Sequence, residues 1–347
     1  MGFVINKNAY LSLVGIFALI NIFVNLNSKI PDYSNYYRYY YGGEIYSDSL
    51  QGGYEKLSLY FFHHQYSFLD FRFAIGAITF FVLWIAMKFW TKNIAWVMGA
   101  YLIAYLPMDM IQIRNFMMLG FSALGIVILA NKEGKLKYVF SIFFIGLGSQ
   151  FHTLGLVFIP LIFMMLIPDG ILDKLYKYVI IVGGIGLLIL TVGSKVSFLS
   201  YLASAVGSLA GNEGQLTNKI INRYSTGTSM SMILAIVITN IAVWYSIGQI
   251  LHDETSSLKN DKQKRIEKVM KNIGIYIIIL SPMMLIAPDY SRIFRNFGFV
   301  SIVFFISVIN QDVYSTKSKK IALMSLVILC ISGILVWARN FGVLFMS

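Results

Sequence analysis

Residues 321–338 read IALMSLVILCISGILVWA, which is eighteen residues without a charged side chain. At about 1.5 Å of rise per residue, a helix of this length nearly crosses the roughly 30 Å hydrocarbon core of a bilayer. The whole chain shares this character, because 57% of its 347 residues are hydrophobic, 13% are charged and the mean hydropathy is +0.70. A soluble fold could not bury so much apolar surface, so the sequence predicts an integral membrane protein.

Ten further apolar segments extend this pattern along the chain. They predict an all-α, polytopic membrane bundle of about eleven transmembrane helices, in a single domain of residues 1–347 with outer loops near 27–70 and 194–230. The eleven segments are 9–26, 71–89, 94–108, 113–130, 137–151, 153–167, 178–193, 231–250, 273–287, 293–310 and 321–338.

The composition also limits the classes of function. The net charge of +12 is explained by orientation signals and contact with anionic membrane lipids. No basic domain stands apart from the apolar segments, so we expect no nucleic-acid partner. The single cysteine, Cys330, lies inside an apolar run, which excludes a disulfide framework and a thiolate metal site. We expect no cofactor and no metal.

The basic residues predict that the N-terminus is cytoplasmic. In that orientation 16 of the 20 lysines lie inside, whereas Arg265 is the one arginine of eight on that side. The lysines therefore carry the topology signal, and the outer arginines do not follow the rule that basic residues lie on the cytoplasmic side. These outer arginines are Arg38, Arg72, Arg114, Arg223, Arg292, Arg295 and Arg339.

Short segments predict a recessed site that opens outward. A segment of about 15 residues spans roughly 22 Å, less than the hydrocarbon core, so its outer connection should lie below the membrane surface. Non-helical backbone at that depth has to be surrounded by protein or a water-filled cavity. The four short segments are 94–108, 137–151, 153–167 and 273–287.

The outer connections carry arginines beside predicted helix N-termini, which favours an anion site. Guanidinium groups bind phosphate in a bidentate way, and a charge at membrane depth is a functional candidate. We therefore expect a diphosphate-binding set of Arg114, Arg292 and Arg295, with Arg223 from the long loop as a fourth candidate. The alternative is that single arginines only cap helices or reach the interface.

His152 is the histidine that the segment assignment places within the membrane zone. Near a helix N-terminus and near arginines it should stay neutral at pH 7, and a neutral imidazole can accept a proton. We predict His152 and Arg114 as catalytic residues. A structural histidine held by hydrogen bonds is the alternative.

The first outer loop is rich in tyrosine, with ten of the 22 tyrosines within residues 31–70. Tyrosine rings beside carboxylates can stack on sugar faces and accept hydrogen bonds from hydroxyl groups. An aromatic belt on an interfacial helix is the alternative. The predicted glycan-binding residues are Asp32, Tyr33, Tyr36, Tyr54, Glu55 and Asp289.

Several short passages resemble the EpsG family of Wzy-like bacterial polysaccharide polymerases. Residues 31–36 and 53–55 are similar to the family's Asp-Tyr-x-x-Tyr and Gly-Tyr elements, residues 113–115 to its Ile-Arg-Gln and residues 150–153 to its Phe-His-Ser. The chain departs from the family at Gln51 and Gly52, near which a Glu is common, and at Asn115 and Thr153.

The resemblance implies a GT-C-like glycosyltransferase with an outward-facing cavity in the bacterial cytoplasmic membrane. It would polymerise repeat units linked to undecaprenyl diphosphate into exopolysaccharide, capsule or O-antigen, without a metal. The outer arginines would hold the diphosphate, and His152 would take the acceptor proton. Expected partners are the undecaprenyl-diphosphate-linked glycan, membrane lipids, and a chain-length regulator and flippase of the same pathway.

Two other functions remain open from the sequence. A flippase or transporter for lipid-linked sugars would place charge near the midplane on broken, repeated helices, whereas the charges here gather at the outer ends. A membrane O-acyltransferase would need its histidine to be reachable from the cytoplasm, but the predicted topology places His152 outside.

Overall fold

The fold is known from a computed structural model, which describes residue 15 and residues 33–42, 52–193, 230–252, 260–283 and 291–345. Within these ranges the chain is helical and contains no strand. The α-helices are α1 (Tyr33–Gly42), α2 (Gly52–His63), α3 (Phe68–Trp90), α4 (Ile94–Ala104), α5 (Leu106–Ile111), α6 (Ile113–Asn131), α7 (Leu136–Ser149), α8 (Ile159–Met164), α9 (Asp169–Tyr178), α10 (Gly184–Gly193), α11 (Met230–Leu251), α12 (Asp261–Leu280), α13 (Ser291–Ile309) and α14 (Thr316–Phe345).

Five helices of the described ranges are long and apolar enough to cross a membrane, namely α3, α6, α11, α13 and α14. Shorter apolar helices lie among them at Ile94–Ala104, Leu136–Ser149 and Thr153–Met164. The predicted all-α polytopic bundle is therefore confirmed, but the count of eleven helices is not. The predicted first segment, 9–26, lies outside the described residues except for Gly15.

Two helices form the centre of the bundle. In both α6 and α13, 89% of the apolar window is buried inside the protein, whereas in α14 only 22% is buried. Small residues let the neighbouring helices approach α6 closely. A Cβ added at Gly120 would lie 3.1 Å from Thr79 of α3, and one at Gly125 would lie 3.0 Å from the Ser141 carbonyl of α7. Residues at the start of α6 and α13 therefore belong to the two most buried of the five long apolar helices.

Two predicted segments are interrupted in the structure. The segment 94–108 is divided at Tyr105 into α4 and α5, with Pro107 in the first turn of α5. Proline lacks the N–H that a continuous helix would need at that position. The segment 153–167 begins as a 3₁₀-helix at Thr153–Phe158 and continues as α8. The sequence prediction of one regular helix in each segment is therefore corrected.

Two other helices begin earlier than predicted. The helix assigned to 273–287 starts at Asp261, where Asn260 and Gln263 form a reciprocal capping box. The segment 178–193 continues a helix that begins at Asp169 and passes through a π-helical turn at Val179–Gly183. Ion pairs join these two helices, because Lys268 and Lys271 of α12 contact Asp169 and Asp173 of α9 at 2.9 and 2.5 Å. Polar helix ends therefore occupy sequence that was predicted as loop.

Candidate functional site

A tight turn at residues 150–153 joins α7 to the 3₁₀-helix and forms the floor of the candidate site. His152 has an extended backbone (φ −156°, ψ 131°), and its Nδ1 accepts a hydrogen bond from the Leu154 N–H at 3.2 Å. A Cβ added at Gly155 would lie 2.7 Å from the Ser149 Cα, so glycine is what allows the chain to fold back here. Backbone contacts on both sides therefore fix the position of His152.

This turn is recessed below the start of α6. The Phe151 ring stacks on the Phe121 ring with a centroid distance of 5.8 Å and an interplanar angle of 9°. A Cβ added at Gly148 would lie 3.0 Å from the Met118 carbonyl oxygen. Met118 and Phe121 lie five and eight residues after Ile113, the first residue of α6. The turn therefore sits roughly 8–12 Å down the length of α6, at a rise of 1.5 Å per residue.

Arg114 lies in the first helical turn of α6, and its side chain contacts the loop turn at residues 150–153. Its Nε donates to the Phe151 carbonyl oxygen at 3.3 Å. Its guanidinium carbon lies 5.3 Å from the centre of the Tyr54 ring, within the range of a cation–π interaction. The side chain is therefore held between the turn and helix α2.

Helix α2 brings Tyr54 to this position through backbone contacts. The N–H groups of Gly53 and Tyr54 both donate to the Gln150 carbonyl oxygen, at 3.2 and 3.4 Å. A Cβ added at Gly53 would lie 2.7 Å from the Gln150 Cβ, so no larger residue fits without a shift. Glu55 follows directly and is half-buried. The Gly-Tyr element noted in the sequence is thus the docking point of α2 on the turn.

Arg292, in the first turn of α13, approaches the turn from the other side. Its Nη1 lies 3.5 Å from the Nε2 of His152. Arg114 and Arg292 therefore contact adjacent residues, Phe151 and His152, and the structure brings the two guanidinium groups together with the imidazole. Each arginine also stands at the N-terminus of a 19-residue helix, where the partial positive charge of the backbone adds to its own.

Arg295 occupies a different environment, although it lies three residues after Arg292. Its Nε is 2.8 Å from the Asp109 Oδ1, and its Nη2 donates to the Gln112 Oε1 at 2.5 Å. Asp109 is fully buried and also accepts a hydrogen bond from the Tyr101 hydroxyl at 2.5 Å. The charge of Arg295 is thus compensated inside the protein. The sequence analysis missed Asp109, although a carboxylate inside an apolar stretch signals a partner.

A polar contact also joins α6 directly to α13. Asn115 of α6 and Asn296 of α13 are fully buried and exchange two amide hydrogen bonds, at 3.1 and 3.2 Å. This pair lies next to Arg114 on one helix and next to Arg295 on the other. It fixes the relative position of the helix ends that carry the arginines.

The predicted glycan-binding residues lie partly around this core. The Tyr36 ring is 6.1 Å from the Tyr54 ring, and the Arg72 guanidinium lies 5.1 Å from the centre of the Tyr33 ring. The other predicted site residues, Asp32, Arg223 and Asp289, lie outside the described residues.

A separate cavity of about 60 Å³ lies between α4, α11, α13 and α14 and is lined by Arg295, Asn240, Thr239 and Ser332, among others. Its size suits water rather than a sugar. In the part of the chain that the structure describes, no group of three His, Cys, Asp or Glu side chains could hold a metal ion.

The comparison with known proteins gives one match. The model of the EpsG family matches residues 10–345, a range that includes Arg114, His152 and Arg292. No curated protein and no solved structure was found to match the chain. Members of the matching family are polysaccharide polymerases of exopolysaccharide biosynthesis, which implies a glycosyltransferase-type activity. With its apolar helices and a family match over nearly the full length, this membrane-embedded chain belongs to the EpsG family.

Proposed function

We propose that this protein polymerises undecaprenyl-diphosphate-linked oligosaccharide repeat units on the outer face of the bacterial cytoplasmic membrane. The observation that carries the proposal is the convergence of Arg114 and Arg292 on the recessed turn that holds His152. Two guanidinium groups can neutralise a diphosphate, and their planar donors match its oxygens. The depth of the recess suits a diphosphate head group whose lipid chain remains in the bilayer.

The two ends of α6 support the proposed orientation. Arg114 stands at its N-terminal end, whereas Glu133, just beyond its C-terminal end, pairs with Arg265 at 3.1 Å. The end near Glu133 also carries the lysine-rich start of α12. A helix of 19 residues is roughly 28 Å long, so the N-terminal half of α6, which carries the candidate site, and its lysine-rich end would point towards opposite membrane surfaces. Because lysine typically marks the cytoplasmic side, this arrangement supports a site that opens outward.

In the proposed reaction, the bond between the anomeric carbon of the growing chain and its diphosphate breaks. A hydroxyl oxygen of the incoming lipid-linked repeat unit bonds to that carbon, and its proton passes to an oxygen of the departing diphosphate. Charge accumulates on the departing diphosphate, and Arg114 and Arg292 stabilise that charge. Both substrates are anchored in the same membrane, so their positioning contributes to the rate.

The role of His152 depends on its tautomer. The contact with the Leu154 N–H requires a lone pair on Nδ1, so the neutral ring carries its proton on Nε2. In that form Nε2 is a donor 3.5 Å from Arg292 Nη1, and a diphosphate oxygen bound by Arg292 would accept from it. The contact of 3.5 Å with Arg292 would require the opposite tautomer and is at the limit of a hydrogen bond. The sequence prediction of a general base therefore requires the ring to exchange its tautomer and lose the Leu154 contact.

Replacement of Arg114 tests the proposal. Arg114→Lys keeps the charge but loses the planar donor pair, and we expect at least a tenfold loss of polymer, with single repeat units still made. The measurement is the length distribution of surface glycan on a gel, in cells that lack the native gene and express each variant. Arg265→Lys is the matched control, because it keeps its ion pair at the other end of α6. Full polymer length with Arg114→Lys and with Arg114→Ala, at equal expression, would refute the proposed site.

A further inference from the structure

Helix α1 has an unusual composition for a helix beside a membrane. Its sequence, YSNYYRYYYG, contains six tyrosines and no aliphatic residue. Helices that bind the membrane interface usually present Trp, Phe and Leu on their apolar face. The rings of α1 instead alternate with small polar groups and an arginine, and Ser34, Asn35 and Arg38 are all exposed. This composition suits a ligand that offers both apolar faces and hydroxyl groups.

The tyrosines of this region fall into two groups by their surroundings. Tyr40 is 2% exposed and its hydroxyl donates to the Tyr66 carbonyl at 2.7 Å. Burial, with smaller contributions from Tyr41 and Asp70, raises the pKa of Tyr40 to about 12, so this hydroxyl remains a donor. Tyr54 is 7% exposed and its ring faces the Arg114 guanidinium. These buried tyrosines hold the outer helices together and leave little ring surface for a ligand.

Tyr37 and Tyr41 form the second group. Their side chains are 47% and 44% exposed, and their rings lie 4.7 Å apart at an angle of 54°. The Tyr37 ring also stacks on Tyr33, at 6.2 Å and 20°. The Tyr41 hydroxyl accepts a hydrogen bond from the Phe68 N–H at 3.2 Å, which fixes that ring at the start of α3. The three rings follow each other at intervals of four residues and make an aromatic strip roughly 12 Å long on one face of α1.

We propose that Tyr37 and Tyr41 are a carbohydrate-binding surface, which holds the glycan of the lipid-linked substrate away from the reacting diphosphate. The C–H faces of sugar rings would stack on the two phenol rings. Ser34 lies three residues before Tyr37, and Arg38 lies three residues before Tyr41. Both would bind hydroxyl groups beside the strip. Because these rings are already fixed by Phe68 and Tyr33, little conformational entropy is lost on binding.

The surface is connected to the candidate site. Tyr36 of α1 contacts Tyr54 of α2 at 6.1 Å between ring centres, and Tyr54 in turn lies against Arg114. A glycan lying along α1 would therefore continue from a diphosphate held at Arg114. This inference rests on the proposed function and adds to it the place where sugars beyond the reacting unit are held.

The test compares leucine variants in purified protein reconstituted in nanodiscs. Leucine keeps apolar area and helix propensity but cannot stack on a sugar. The probe is a set of oligosaccharide fragments prepared from the surface polysaccharide of cells that express this chain, and binding is measured by titration calorimetry. We expect Tyr37→Leu and Tyr41→Leu to weaken binding about two- to tenfold each. Tyr60→Leu is the matched control, because Tyr60 is 55% exposed on α2 but outside the strip, and less than a twofold change is expected.

The outcomes separate this inference from the proposed function. Unchanged fragment binding in the double variant Tyr37→Leu/Tyr41→Leu overturns the carbohydrate surface and favours an interfacial role, while the Arg114 result stands independently. Equal weakening in Tyr60→Leu overturns it as well, since the effect would then belong to any exposed tyrosine. Because Arg114 contacts the diphosphate and not the strip, Arg114→Ala should abolish polymer and leave fragment binding within twofold of the wild type. If Arg114→Ala lost fragment binding as well as polymer, the carbohydrate surface would not be separate from the diphosphate site, and the inference would be overturned.

Discussion

The buried pair of Asp109 and Arg295 allows a quantitative test of how the site is built. The two side chains are 0% and 9% exposed, with Nε and Oδ1 2.8 Å apart. Breaking a buried ion pair by removing one charge costs about 3–5 kcal/mol, because the other charge stays buried without compensation. Asp109→Asn keeps the volume and an acceptor for the Tyr101 hydroxyl, so the lost charge should account for most of its effect. We expect it to destabilise the protein by about 3–5 kcal/mol.

The double variant Asp109→Asn/Arg295→Gln removes both charges. Its stability should return to within about 1–2 kcal/mol of the wild type, since no uncompensated charge remains. Denaturant unfolding in detergent, followed by the fluorescence of the buried Trp90 and Trp244, measures each variant. If the double variant were no more stable than Asp109→Asn alone, the ion pair would not be the cause and the reasoning would fail.

The same variants decide what Arg295 does. If Arg295 only holds the helix ends in place, the stable double variant should keep most of its polymerase activity. The sequence analysis predicted that Arg295 binds diphosphate. If its guanidinium leaves Asp109 to do so, the double variant should be folded but produce less than about a tenth of the polymer. The comparison does not depend on whether the single variants fold.

Two further predictions concern the turn at residues 150–153. Gly53→Ala should weaken the docking of α2 and destabilise the protein by about 1–3 kcal/mol, because its Cβ would meet Gln150, whereas Gly52→Ala, with no atom within 4 Å, should have no effect in the same unfolding assay. His152→Gln keeps a donor near the position of Nε2 but cannot take a proton at neutral pH, so substantial polymer on the glycan gel supports hydrogen-bond donation. His152→Asn is the control, because it keeps the hydrogen bond to the Leu154 N–H. If His152→Gln is as inactive as His152→Asn, hydrogen-bond donation is contradicted.

The class of fold could be predicted from the sequence because long apolar runs have few alternatives to a bilayer. The positions of α3, α6, α11 and α13 agree with the predicted segments to within a few residues. The interruptions were not predicted, since Pro107 and Gly155 act through local geometry that hydropathy does not measure. The early start of α12 could have been predicted from Asn260 and Gln263. These residues have the spacing of a capping box and lie before the apolar segment 273–287.

The candidate site was only partly predictable, for a different reason. Arg114, His152 and Arg292 could be selected because polar residues at membrane depth are unusual. Their grouping depends on contacts across up to 140 residues of chain, such as that between Arg292 and His152. The separation of Arg292 from Arg295 could not be predicted, because residues three apart on a helix were expected to face one ligand, and the competing partner Asp109 lies far away in sequence.

The docking of α2 on Gln150 has a consequence for the order of assembly. Gly53 is synthesised before Gln150, and the carbonyl that receives its N–H does not exist until nearly 100 further residues have been made. At 5–20 residues per second, this delay is roughly 5–20 s. During that interval α2 lacks this acceptor, and Arg114 is made before its contact, the Phe151 carbonyl, has been translated. The contacts of α2 and Arg114 with the turn at residues 150–153 are thus completed late, and a ribosome that stalls before residue 150 leaves them unformed.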